Sequence, residues 1–478
     1  MRNWLLSLLL TASLSVFAQT GTDDLPAAPL PSSVSLTLST AGANSGSSQS
    51  RTAPPNQQQP LIDPATSTIS ITRTVAERLA LKNNPRITAS HLLALAAGQL
   101  TRETRSSELP QISAAVTAEK AEDGSRIGAG ALTDSRLYTH AGTGGSLSQL
   151  ITDFGHTRDL VATNKLQQKA QDRTAIAAEQ DVLWATDQAF YRLLNSQSLL
   201  DVAKATVAAR GDVQSLTSAL TRSALKSDLD LNIASADLSQ SQLLELDAEN
   251  GVASASAALA AVLAAPADTL YHAEEGPDDA PPPPSPDSSP SINASAQVQR
   301  PDLQALRFNA AADQKFATAQ QLQHLPTISA LAIGGITPVA PDGIFVPNWY
   351  AAGGVNLSLP LFTGFRIDAQ TQEARLRQKA AEKQVQELSD TIARDVRVAL
   401  LNAQTAFRRI AVADQFRKQT AQALALAQTR YKLGLSSIVE LSQAQLQSTQ
   451  AAVAAVNARY DYLLALRSLD YARGQLAP

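Results

Sequence analysis

The chain has 478 residues, 44% of them apolar but only 4% aromatic, a balance that suits long, alanine-rich helices in mutual contact better than a thick globular core. Its 39 Lys and Arg stand against 43 Asp and Glu, with neither sign gathered into a block, so the footprint of a nucleic-acid partner is missing. Zero Cys, one Met and five scattered His argue against disulfides, thiolate metal sites, thiol nucleophiles and a lipidated N-terminal Cys.

Residues 1–18 read as a secretory signal: Arg2, an apolar run from Trp4 to Leu10, and the small-x-small site Val16-Phe17-Ala18 before Gln19. Residues 19–66 are rich in Ser, Thr, Pro, Gln and Ala and predict a disordered arm. Past residue 19 no run of 18 apolar residues occurs, so any membrane span of the mature chain must be built from strands.

Two stretches of similar design follow, 67–265 and 300–474, separated by a Pro-rich acidic linker at 266–299 that contains Pro281 to Pro284; residues 475–478 form a tail. Asn84-Pro85 matches Arg300-Pro301 and Leu109-Pro110 matches Leu325-Pro326, each 216 residues apart, and Ala224-Leu225 matches Gly434-Leu435 at 210. Each half predicts helix, strand, strand, very long helix, helix.

The helical signal is strongest in 366–433, which lacks Gly and Pro and repeats apolar residues in steps of three and four, from Val385, Leu388, Ile392 and Val396 to Phe407 and Ile410. At 1.5 Å per residue it would extend about 100 Å. Residues 156–210 also lack Gly and Pro, and 435–473 supply a returning helix. Strand candidates are Ile112, Ala114, Val116 and Ala118, and Val355, Leu357, Leu359 and Leu361, each alternating with smaller or polar residues. Segments 136–149 and 326–336 would pair with them across loops at 120–137 and 337–348. Phe345, Trp349 and Tyr350 sit where an interfacial aromatic belt would help. Four strands cannot close a membrane barrel, so several chains would have to share one.

These features resemble the TolC-like outer membrane efflux protein family, the outer membrane factors. The resemblance covers nearly all of 67–474 and rests on the tandem repeat with Val75-Ala76-Glu77-Arg78-Leu79-Ala80-Leu81-Lys82-Asn83-Asn84-Pro85, the Leu-Pro strand openings, Leu359-Pro360-Leu361-Phe362-Thr363-Gly364, and Tyr431-Lys432-Leu433-Gly434-Leu435-Ser436-Ser437-Ile438-Val439-Glu440-Leu441. It implies a mostly α fold of long hairpins plus four strands per chain, completed by homotrimerisation into a twelve-stranded barrel in the outer membrane of a Gram-negative cell. The implied function is an exit duct for efflux or type I secretion, without enzymatic activity or cofactor, working with a periplasmic adaptor and an inner-membrane transporter. By position, the resemblance puts Glu440, Gln443, Asp230 and Tyr431 at the constriction or gate. It puts Gly434, Leu435 and Ser436 with Ala224, Leu225 and Lys226 at adaptor-contacting tips, Ala224 standing where Gly is usual.

Read without that resemblance, Glu440 and Asp230 are solvated carboxylates near helix N-termini, and Tyr431 is either a packing aromatic or part of a gate. Gly142 to Gly145 lack the Lys-Ser or Lys-Thr of a phosphate loop. No nucleophile elbow, paired-carboxylate site or ligand-like His spacing is recognisable. Two rival functions stand beside the duct: a soluble periplasmic coiled-coil adaptor or scaffold, and a secreted hydrolase stabilised by helices.

Overall fold

A computed structural model describes residues 69–120, 126–129, 132–136, 140–266, 268–276, 289–336 and 349–476. The signal, the arm, Phe345 and Pro281 to Pro284 lie outside the described residues. The chain divides into Met1–Ile62 and Asp63–Pro478, and everything below concerns the second unit.

Its first half runs β1 (Ile69–Ile71), α1 (Arg73–Asn83), α2 (Pro85–Ser106), β2 (Gln111–Glu119), β3 (Arg126–Ala129), β4 (Leu132–Arg136), β5 (His140–Thr152), α3 (His156–Arg222) and α4 (Asp228–Val262). The second half runs β6 (Tyr271–Ala273), α5 (Ser289–Gln299), α6 (Pro301–Leu322), β7 (Thr327–Ile336), β8 (Trp349–Ser358), α7 (Arg366–Lys432) and α8 (Ile438–Arg473). The internal repeat extends to element length: α3 and α7 have 67 residues each, and α4 and α8 have 35 and 36.

Three expectations need correction. β3 and β4 pair within the segment read as a loop at 120–137. The range read as a linker contains β6, which pairs in parallel with β1, and helix α5; Tyr271 and Ala273 are buried, so this short apolar patch gains enough to order where its polar surroundings suggested otherwise. β8 begins at Trp349 and ends at Ser358, leaving Leu359 and Leu361 outside it, because Pro360 has no N–H to give a ladder.

Asn84-Pro85 and Arg300-Pro301 are helix starts. Pro85 and Pro301 open α2 and α6 at the first turn, where a missing N–H costs nothing, and the Asn84 side chain accepts from Arg86 N at 3.0 Å. The strand-to-helix corners both need a left-handed pair of residues: Phe154 and Gly155 before α3, Gly364 and Phe365 before α7.

The β2-β5-β7-β8 sheet is antiparallel throughout, and α2, α3, α6 and α7 lie side by side in the order of the strands they adjoin. The first half of α3 is held between α2, through Thr101 to Gln168 at 3.4 Å, and α6, through Lys315 to Asp159 at 3.5 Å. Its second half lies between α4 and α8, giving the order α4-α3-α8-α7.

Where α1, α3, α4 and α8 meet, Phe190, Leu193, Leu259 and Leu463 form a core. A buried ionic knot adjoins it. Arg467 donates from Nε to Asp187 Oδ2 at 2.6 Å and from Nη2 to Glu77 Oε1 at 2.9 Å, while Arg73 reaches the same Glu77 oxygen at 2.6 Å. Glu77 and Asp187 are fully buried. Burial pushes the Asp187 carboxyl up to about 7; Arg467 opposes the rise and the neighbouring Glu77 adds to it.

Arg467→Met is expected to destabilise this junction by about 3 kcal/mol, the lower part of the range for a broken buried pair because Asp187 can then take a proton; the thermal-denaturation midpoint of the purified protein measures it. Because folding raises the Asp187 pKa from 3.8, its stabilising contribution is complete below about pH 4 and is lost as pH climbs through about 7. Asp187→Asn, neutral throughout, should therefore flatten the fall of the midpoint across that window.

Candidate functional site

Three local arrangements concentrate the candidate residues: the turn joining α3 to α4, the turn joining α7 to α8, and the four-stranded sheet. Both turns are left-handed caps. In the first, Leu225 N reaches back to Leu220 O at 2.9 Å and Ala224 has φ 59°. In the second, Leu435 N reaches Arg430 O at 2.8 Å and Gly434 has φ 73°. This is the six-to-one closure that favours Gly at the left-handed position. Ala224 adopts the same geometry, so the departure from Gly leaves the turn intact and charges it the steric cost of a Cβ.

After each turn a Ser caps the next helix. Ser227 Oγ accepts from Asp230 N at 3.2 Å, and Ser227 N donates to Asp230 Oδ2 at 3.4 Å, a reciprocal box. Ser437 Oγ accepts from Glu440 N at 3.2 Å, but the Glu440 carboxylate turns to Arg430 Nε at 3.4 Å, both side chains nearly half exposed; solvent screening makes that pair weak. Thus Asp230 is committed to its own helix end and Glu440 is not. Gln443 is exposed one turn further on, Ser436 is half-buried, and Leu225 and Leu435 are 70% and 66% exposed.

Tyr431 is fully buried. Its hydroxyl lies 3.1 Å from Thr217 Oγ1 on α3, the Lys226 ammonium sits 4.6 Å from its ring centre, and Val213, Ile438 and Leu441 surround it. Burial raises its phenol pKa, against the bond to Thr217. In this conformation it ties the two hairpins together. Arg210, Asp237 and Ser442 escaped the sequence reading. Arg210 Nη1 donates to Asp237 O at 2.7 Å, and Ser442 Oγ to Asp237 Oδ2 at 2.6 Å; partners 205 residues apart leave no local pattern to find.

In the sheet, Ile112, Ala114, Val116 and Ala118 share a face with Leu147, Gly145, Thr143 and Ala141 opposite them. Ile112 and Val116 are 80% and 83% exposed there. Val355, Leu357 and Trp349 continue that face through the registers of β7 and β8. The opposite face carries Ser113, Ala115, Thr117, Gly144 and Ser146. Trp349 and Tyr350 are consecutive and point to opposite faces, so they cannot both join a belt on the apolar one. Tyr350 lies on that opposite face with Leu331 and Ile333, where its hydroxyl occupies the space a Cβ on Gly144 or Gly335 would enter.

Among the described residues no helix is long and apolar enough to cross a membrane, and no cluster of three or more His, Asp or Glu could hold a metal ion.

Gly434→Ala is expected to cost about 1 kcal/mol of local stability, all of it conformational because nothing lies within 4 Å of the added Cβ. Ala224→Gly should do the reverse at the other turn. Amide hydrogen exchange at Leu435 and Leu225, whose N–H groups close the caps, should change roughly five-fold in opposite directions.

The Vibrio cholerae outer membrane protein TolC is 28% identical over 124 residues, 26% of this chain and 28% of that protein, so the matched stretch spans under a third of the curated relative. The Campylobacter jejuni CmeC outer membrane channel superposes with TM-score 0.73 at 20% identity, covering 84% of this chain and 85% of that one. The open-state Neisseria gonorrhoeae MtrE outer membrane channel gives TM-score 0.67 at 20% identity, covering 84% and 88%. These two likenesses concern the fold. The model of the family described as outer membrane efflux protein matches residues 77–265 and 293–475, both structural repeats, and the chain belongs to that family.

Proposed function

We propose that this chain is one of three identical subunits of an outer-membrane exit duct, a passive conduit gated at its helical tips and served by a periplasmic adaptor and an inner-membrane transporter. One observation carries the reading: a four-stranded sheet with a water-exposed apolar face and two unpaired edges, β2 and β8, among the described elements. In hydrocarbon each unpaired backbone group costs several kcal/mol, so such a sheet is stable there only when β8 of one copy pairs with β2 of the next. Three copies supply twelve strands, above the minimum of about eight. The face with Ile112, Val116, Val355 and Leu357 then meets lipid, and the opposite one, where Ser113, Thr117 and Ser146 stand beside Leu331 and Ile333, lines the lumen.

A soluble adaptor or scaffold would have no use for Ile112 and Val116 standing bare on a strand, which is an aggregation hazard in water. At the other end, Glu440 and Gln443 are free to face a shared passage, with Asp230 contributing charge from its capped helix end; a ring of like carboxylates repels anions and attracts cations. Ala224, Leu225 and Lys226 with Gly434, Leu435 and Ser436 form the surface for the adaptor, the exposed leucines providing the apolar anchors. A ligand that favours one tip arrangement over another shifts the population between closed and open.

Light scattering of the protein purified from outer membranes, with the detergent subtracted, should give the mass of three chains; a monomer, or recovery without detergent, overturns the reading. Leu225→Asp with Leu435→Asp should keep that mass and abolish export in the native host.

A further inference from the structure

The helix order α4-α3-α8-α7 leaves α4 and α7 as the outermost members of the hairpin array. They are oppositely charged. Helix α4 contains Asp228, Asp230, Asp237, Glu245, Asp247 and Glu249 and no Lys or Arg, and it exposes Leu243 and Leu246 beside exposed Asp247 and Glu249. The last part of α7 carries Arg408, Arg409, Arg417, Lys418, Arg430 and Lys432 with Asp414 as its sole acid after Asp395. It exposes Val412, Phe416 and Leu426, and Val412 and Phe416 edge a groove against α8 of about 500 Å³ whose lining includes Arg408, Arg409 and the single acid Asp461.

The vertical register between the hairpins is measurable within one chain. Thr217, five residues before the end of α3, contacts Tyr431, one residue before the end of α7. Asp237, nine residues into α4, bonds Ser442, four residues into α8. Both contacts place the α3–α4 turn four to five residues beyond the α7–α8 turn, about 7 Å at 1.5 Å per residue. A rotation axis running along the helices preserves that offset between copies. Moving up α4 and down α7 from their turns then sets Asp247 level with Lys418, and Leu243 and Leu246 between Lys418 and Leu426.

We propose that α4 of one copy docks on α7 of the next in this register, with Asp247 against Lys418 and the exposed leucines of α4 against the apolar stripe of α7. This rests on the trimeric reading and deepens it by naming the seam. The charge asymmetry specifies which edges meet: α4 against α4 sets acid on acid, α7 against α7 sets base on base, and only the head-to-tail contact, which closes into a ring, is complementary. Exposed ion pairs supply little energy, so the charges select the register while the apolar stripe and the shared sheet hold it.

The absence of cysteine in the chain makes the test clean. Asp247→Cys with Lys418→Cys, treated with a short bismaleimide in intact outer membranes, should give a covalent ladder ending at three chains, and Asp247→Cys alone should give none. A three-chain mass with no ladder from this pair, or with one from Asp247→Cys and Val412→Cys in its place, overturns the register and leaves the trimer standing. A monomeric mass of the unmodified protein defeats the trimeric reading instead. As a check that survives a poorly folding variant, the reversals Asp247→Lys and Lys418→Glu should each lower trimer recovery several-fold, and the two together should restore it. Failure of that rescue counts against the seam.

Discussion

The constraint on which the rest depends is the pairing requirement of backbone groups at the two free edges of the β2-β5-β7-β8 sheet. A strand edge in water can be tolerated, blunted by charge or covered; one in hydrocarbon cannot. The sheet carries ladders of nine and ten aligned residue pairs, long enough to cross a bilayer when tilted, and no element of the described chain covers its edges. The strand order is inherited by α2, α3, α6 and α7, so whatever closes the sheet also closes the helices beneath it. One pairing rule at one end of the molecule thereby fixes the neighbours of every long helix.

Continuity transmits that rule. α3 and α7 each run 67 residues without proline, and neither has a thick core to lean on. Apolar burial is distributed among three separate clusters along the chain, in keeping with the low aromatic content. Between them, polar ties such as Ser198 to Tyr460 at 3.0 Å and Gln445 to Ala209 O at 3.5 Å keep α3 and α8 in register. The ionic knot at Arg467 is the densest of these ties, joining α1, α3 and α8. Buried ion pairs are poor sources of net stability, but a guanidinium forked between two carboxylates accepts few geometries, which makes it suited to fixing where α8 sits.

Much of this was legible in the sequence because its signals are local or periodic. The Gly- and Pro-free runs, the X-Pro helix openings and the two matched halves each leave a pattern within a few residues, and the turns at Ala224 and Gly434 lie where spacing put them. The strand β8 was displaced toward Leu361 because apolar alternation continues past Pro360, while hydrogen bonding does not. β6 was missed because three residues with one parallel partner make no periodic signal. The sequence leaves Tyr431 open between packing and gating, since its environment comes from Thr217 and Val213, more than 200 positions away; Asp237 and Arg467 carry no local signal for the same reason. The faces of Trp349 and Tyr350 follow from strand parity alone and could have been separated beforehand.

The two tips are built alike but are not equivalent. In the first, the reciprocal bonds of Ser227 and Asp230 consume the carboxylate that could otherwise face outward. In the second, Ser437 caps alone and Glu440 keeps only a screened contact to Arg430. The cap that costs strain, at Ala224, belongs to the tip whose acid is committed, and the unstrained Gly434 belongs to the tip whose acid is free. A charge that must serve a passage should not also hold a helix end, because changing one would disturb the other. The repeats therefore differ in where the acid is used, on its own helix end in the α3–α4 turn and in a solvent-screened contact in the α7–α8 turn, with Tyr431 buried between the two hairpins.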